Sequence, residues 1–396
     1  METDLISLVV IVAISAFVPL IVGLLRLKIA EVVLLLAFGV VFGPELLGWI
    51  QIDDAISLLS ELGLGVLFFL AGLELERKSV SGMSGRLAGS GWLISLAIAL
   101  TAAFLLAGTG NVLDPIGVAI ALTSTALGTL LPIVRDRGEL NSRFGTFFMG
   151  AGAWGELGPI IAMSILLTTK SSLAAIISLL LFLAIALLLA ILPNRFTNAR
   201  VLAVINRGHN SSSQTGLRFV ILLMVMLLAL AGTFGLDAVL GAFLAGIIAR
   251  RFMPQSEESR LQIKVEAIGF GFLIPLFFVV SGAKLDVVSI VQNPLPMVIA
   301  FFLILLVRGV PQWFLYRKAL PNIRERTRFS LYVATGLPII VAVTSLEVSA
   351  GLMTPANGAA LVGAGALTVL IFPLLGNALD RKRKEPEAHD RAENTA

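Results

Sequence analysis

Cysteine is absent from this 396-residue chain, and histidine occurs only at His209 and His389. The first absence excludes a disulfide framework and any thiolate metal site. The second excludes a histidine-rich metal centre. Charge is scarce as well: 14% of residues are Asp, Glu, Lys or Arg, against roughly a quarter in a soluble domain. There is no Walker A sequence, no G-x-S-x-G and no H-E-x-x-H, so none of these enzyme signatures is available. No enzyme activity, cofactor or nucleic-acid partner is expected. The acidic start "METDL" also lacks the basic region of a cleavable signal peptide.

One enzyme-like fingerprint does occur. Gly150, Gly152 and Gly155 spell G-x-G-x-x-G within "MGAGAWGELGPI". A dinucleotide turn must follow a strand and needs an acid ~20 residues downstream for the ribose. Here "RFGTFF" leads into an apolar helix, and no Asp or Glu occurs between Glu156 and Asp237. The small residues are better suited to letting neighbouring helices approach closely.

What the chain does have is apolar length. Hydrophobic residues make up 57% and mean hydropathy is +0.97, the composition of a polytopic all-α membrane protein. A spanning helix needs ~20 mostly apolar residues, and about thirteen segments qualify on that principle. They are 5–25, 29–47, 56–74, 87–108, 114–134, 144–168, 172–193, 219–234, 236–250, 265–282, 296–316, 329–349 and 356–378. With the N-terminus outside, 26 of the 29 basic residues fall in inside loops or the C-terminal tail, as the positive-inside rule requires. Only Lys170 and Lys284 face outside, and Arg308 remains within a span.

Thirteen spans place the units 5–168 and 219–378 in opposite orientation, an inverted repeat of the kind secondary transporters use. "GLGVLFFLAGLELE" in the third span and "GFGFLIPLFFVVSGAKLD" in the tenth share G-x-G, a Phe pair and a later glycine followed by Leu and an acid. The second and ninth spans, "EVVLLLAFGVVFG" and "DAVLGAFLAGIIA", are loosely alike. The helix 172–193 and a polar stretch carrying "SSS" and His209 would link the two units, with His209 read as a solvated residue. Residues 379–396 read as a short, charged, irregular cytoplasmic tail after the membrane domain 1–378.

Two charges lie deep. Glu156 falls 12 residues from each end of its span, near mid-bilayer, where a charge costs on the order of 3 kcal/mol on the lenient scale. Such a carboxylate faces a bundle interior or a wet cavity. Burial favours its neutral form, which suits it to exchange protons. Arg308 is its natural counter-ion, and Gly309 and Pro311 allow a kink that aims the side chain. Two spans carry breakable centres: "LTSTALGTLLP", with Thr123, Ser124, Thr125 and Gly128, and "VATGLPII", with Thr335, Gly336 and Pro338. Unwound there, they would offer carbonyls and hydroxyls to a cation; alternatively, the hydroxyls bond back to their own helices. Asp114 before Pro115 reads as a helix N-cap. Glu347, near the end of the twelfth span, carries no assignment.

"AEVVLLLAFGVVFGP", "ELGLGVLFFLAGLELE", "LTSTALGTLLPIV" and "FLIPLFFVVSGAKLD" together resemble the second family of bacterial monovalent cation–proton antiporters. That family includes the glutathione-gated potassium-efflux antiporters, and the resemblance covers roughly residues 5–378. It implies thirteen helices, a core domain with crossed unwound helices beside a dimerisation domain, and elevator-like alternating access. It also implies a homodimer in the bacterial inner membrane and, in some members, a soluble regulator, here a separate subunit. The family's ion-binding acid falls at Glu156, its basic residue at Arg308 and its hydroxyl-bearing crossover at Thr123, Ser124 and Thr125. The family places an acid or amide before the binding acid; this chain has Gly155, a gap the longer glutamate side chain is expected to fill. The implied activity is exchange of Na⁺ or K⁺ for H⁺, which one deep acid with a fixed positive partner would make electroneutral, and the alternatives are a gated cation channel or a solute or anion symporter.

Overall fold

A computed structural model describes residues 2–25, 30–75, 81–108, 114–166, 172–196, 214–252 and 255–393. Helices, and no strands, make up the regular structure of these residues. They are α1 (Glu2–Leu24), α2 (Glu31–Phe42), α3 (Asp54–Glu74), α4 (Gly82–Ala107), α5 (Pro115–Leu122) and α6 (Leu127–Asp136). There follow α7 (Arg143–Leu166), α8 (Ser172–Phe196), α9 (Thr215–Phe234), α10 (Ala238–Phe252), α11 (Gln255–Ile268) and α12 (Ile274–Ala283). The last are α13 (Val287–Gln292), α14 (Leu295–Ile304), α15 (Val310–Leu315), α16 (Ile323–Val333), α17 (Pro338–Ser349) and α18 (Pro355–Glu393).

Among the described residues nine helical stretches are long and apolar enough to cross a membrane, fewer than the thirteen expected. The segment foreseen at 29–47 contains the shorter helix Glu31–Phe42, that at 114–134 the apolar stretch Pro115–Leu131 shared by α5 and α6, and that at 172–193 falls within α8, Ser172–Phe196. The segment at 236–250 is α10, whose last turn carries Arg250 and Arg251. The charged tail is not irregular as expected: α18 continues through Glu393, over a run rich in the good helix formers Lys, Arg, Glu and Ala. The "SSS" stretch and His209 lie outside the described residues.

Local chemistry explains the boundaries. Asp53 caps α3 by accepting from the Ile56 N–H at 2.7 Å, and Asp114 caps α5 from the Ile116 N–H at 2.8 Å. Pro115 takes the first helical position, where its missing N–H costs nothing. Gly235 ends α9 at φ +68, a left-handed conformation that glycine adopts without strain.

The helices divide into two compact units. The first comprises residues 1–19, 35–75 and 160–284. In it α2 packs on α12 and α3 on α10, through glycines that meet the facing main chain. Gly39 lies against the Val279 carbonyl and Gly282 against Leu36, while Gly72 meets Phe243 and Gly246 meets Phe69. The second unit comprises residues 20–34, 76–159 and 285–396. Its core at one end is aromatic. Phe144 stacks on Phe148, and both meet Tyr332 edge-on, with Leu130, Val134 and Phe329 buried beside them.

Candidate functional site

Both breakable segments are broken, and both lie in the second unit. Helix α5 stops at Leu122 and α6 starts at Leu127; α16 stops at Val333 and α17 starts at Pro338. The intervening residues run non-helically and meet each other. The Ala126 N–H donates to the Thr335 carbonyl at 2.7 Å, and the Thr125 hydroxyl donates to the Val333 carbonyl at 2.7 Å. Gly336 faces Ser124 closely enough that a Cβ would lie 2.6 Å from its Oγ. Thr368 of α18 braces this turn, accepting from the Gly336 N–H at 3.2 Å.

Gly128 and Pro338, expected in the unwound stretches, instead occupy the first turns of the helices that follow. Gly128 is the second residue of α6 and is exposed; Pro338 opens α17. For Pro338 the physical reason is the same as at Pro115: a first-turn position needs no N–H donor.

Glu156, on α7, is 9% exposed and sends its carboxylate to the break. Its Oε1 accepts from the Leu127 N–H at 3.0 Å. That N–H belongs to the first turn of α6, where no intrahelical acceptor exists and the helix dipole favours negative charge. The small-residue face seen in the sequence permits this approach. Gly152 packs on Leu127, Gly155 on Thr125, and the Gly155 carbonyl accepts from the Thr125 N–H at 3.0 Å.

Arg308 is fully buried. It sits in a five-residue π-helical turn, Leu305–Gly309, between α14 and α15. The extra residue in such a turn displaces the backbone from the regular ladder, a distortion frequent at functional positions. The guanidinium donates to Thr125 Oγ1 from both Nε and Nη2 at 3.1 Å, and from Nη2 to the Ala151 carbonyl at 2.9 Å.

This geometry corrects the expectation for Gly155. The space left by the missing side chain is filled by Thr125 and Arg308, not by Glu156. A Cβ there would lie 2.5 Å from Thr125 Cβ and 2.7 Å from Arg308 Nη2.

The three crossover hydroxyls divide by partner. Thr123 donates to Ile120 O at 2.8 Å and Ser124 to Ala121 O at 2.9 Å, both back into their own helix. Thr335 does likewise with Leu331 O at 3.0 Å. Only Thr125 reaches across. Its one proton and both lone pairs are committed to Val333 and Arg308.

Several buried polar groups escaped the sequence reading. Arg328 grips Glu139 through two bonds, at 3.1 and 2.8 Å, with its guanidinium over the Phe144 ring. Gln312, one turn beyond Arg308, is fully buried against Gly91. Its position four residues after Arg308 was the available signal.

Among solved structures, the chain resembles the sodium proton antiporter MjNhaP1 from Methanocaldococcus jannaschii. The TM-score is 0.60 at 17% identity, covering 93% of this chain and 98% of that one. That likeness speaks to the fold. Among curated proteins it is 24% identical over 98% of its length to YjbQ of Bacillus subtilis (strain 168), named for Na(+)/H(+) antiport. It is 28% identical over 97% of its length to the glutathione-regulated potassium-efflux system protein KefC of Enterobacter sp. (strain 638). It spans 65% and 62% of those two relatives' lengths. The family model for the sodium/hydrogen exchanger transmembrane region matches residues 12–378. With the broken helices and their buried carboxylate inside that match, the chain belongs to the sodium/hydrogen exchanger family.

Proposed function

We propose that this protein is a secondary antiporter exchanging one Na⁺ or K⁺ for one H⁺ across the bacterial inner membrane. The observation that carries this reading is the buried Glu156 carboxylate, held at the start of α6 where two broken helices meet. Proton and cation compete for that carboxylate. Each neutralises it equally, so a one-for-one exchange moves no net charge. Arg308 stays protonated and compensates the carboxylate when it is empty; it cannot carry the exchanged proton. Thr123 and Ser124 donate backward and keep lone pairs for a cation, which hard ions such as Na⁺ favour. Thr125, whose oxygen is fully engaged, acts as a positioning residue for Arg308.

The wider assignment is an inverted repeat, a homodimer, N-terminus outside and C-terminus cytoplasmic, with a separate soluble regulator. The repeat is supported by the exchange of partners in the first unit. If the second span corresponds to the ninth and the third to the tenth, the contact of α2 with α12 maps onto that of α10 with α3.

Proteoliposomes containing a pH-sensitive dye test the function. Adding Na⁺ or K⁺ should shift lumenal pH in the wild type and leave it unchanged in Glu156→Gln. Exchange persisting in that variant removes Glu156 from its role. Conductive flux independent of a proton gradient would indicate a channel, and flux requiring an organic acid a symporter; either overturns the antiport reading.

A further inference from the structure

Among the described residues Glu347 is the other buried carboxylate of the second unit, and the exchange just described does not use it. It lies on α17 with no exposed surface, and no N–H or hydroxyl group of the described residues donates to either carboxylate oxygen. An ionised carboxylate left in that state is costly. The carboxylate rests on Gly117 of α5 so closely that any side chain at 117 would occupy its place. Its electrostatic partner is another acid, Asp114. Asp114 spends Oδ1 on capping α5 and is only partly buried.

The helices packed most closely against α17 are α5 and α18. Neither residues 115–122 nor residues 355–379 contain a titratable side chain. Among residues 114–122 and 355–379, Asp114 is therefore the one charged group that faces Glu347, and no cation in those stretches balances the pair.

Two carboxylates so placed cannot both ionise cheaply, and a single proton between them relieves both. We propose that Glu347 and Asp114 form a second proton-binding site, separate from Glu156, at the end of the broken helices away from Arg328 and Glu139. The Glu347 O–H donates to the Asp114 oxygen that the helix cap leaves free. The proton enters and leaves through the partly exposed Asp114, so the pair alternates between one negative charge and two. Loading of this site during transport rests on the antiport reading; its occupancy by a proton does not.

Infrared spectroscopy of the full chain in lipid nanodiscs tests the site directly. The carboxylic C=O stretch of a protonated acid should persist into the neutral range and titrate away at higher pH. That band should vanish in Glu347→Gln, which keeps the side-chain volume, and remain in Glu156→Gln. In Asp114→Asn the band should be lost at lower pH, because one like charge is gone. A band unaffected by Glu347→Gln, or unmoved by Asp114→Asn, overturns the proposal. So does a band abolished by Na⁺ or K⁺ at constant pH, which would make this a cation site. If Glu347→Gln fails to fold, Asp114→Asn alone decides. Failure of exchange through Glu156 leaves this band untouched, so the two readings fail separately.

Discussion

Thr125 holds the site together through one hydroxyl. It donates to Val333 and accepts twice from Arg308, tying three separate helices at one oxygen. Thr125→Val keeps the shape and removes every one of these bonds, leaving two buried guanidinium donors without their acceptor. The expected cost is about 1–3 kcal/mol, seen as a lower melting temperature in detergent. Thr125→Ser should recover most of it; equal melting of the Val and Ser variants would show that the hydroxyl is idle. Gly155→Ala probes the same junction from the other side. Its Cβ would strike Thr125 and Arg308, and overpacking of this kind costs typically about 1–3 kcal/mol. Because the crowding displaces Arg308, exchange should fall together with stability; a variant as stable and active as wild type would refute the contact.

At the level of elements, glycine decides which helices touch. In α3 and α10, Gly72 and Gly246 meet opposing backbone rather than side chains. Backbone has no rotamer through which to yield, so Gly246→Ala must push the two helices apart. Gly232 of α9 has nothing within 4 Å of its would-be Cβ, and alanine there gains helix propensity. Thermal unfolding of the pair should show marked loss for Gly246→Ala and neutrality or slight gain for Gly232→Ala. The broken helices follow a different rule. Their free N–H and C=O groups find partners across the crossover, at Gly155, Val333 and Thr335, so the cost of unwinding inside an apolar unit is largely offset.

On the scale of the whole molecule, the lack of cysteine makes orientation easy to read, since any introduced thiol is unique. The proposed orientation puts Lys284 outside and Arg324 inside, and both are exposed. In intact cells Lys284→Cys should react with a membrane-impermeant maleimide. Arg324→Cys should react only after permeabilisation. The reverse pattern would invert the assignment of every loop.

The sequence by itself determined the class of protein, the buried charges Glu156 and Arg308 and the two segments that break. Each rests on composition or on one residue's misfit with lipid, which is written locally. The cap at Asp114 was legible for the same reason. Only the tertiary structure decided which groups meet. Thr125, rather than Thr123 or Ser124, crosses between the broken helices; Arg308 and Thr125, rather than Glu156, fill the gap at Gly155. Glu347 became a buried acid beside Asp114, although 233 positions separate them in sequence. Hydropathy records the depth of a residue along its own helix, while contacts depend on rotation and on close approach between helices distant in sequence. In this chain those approaches run through glycines, whose partners no local pattern names.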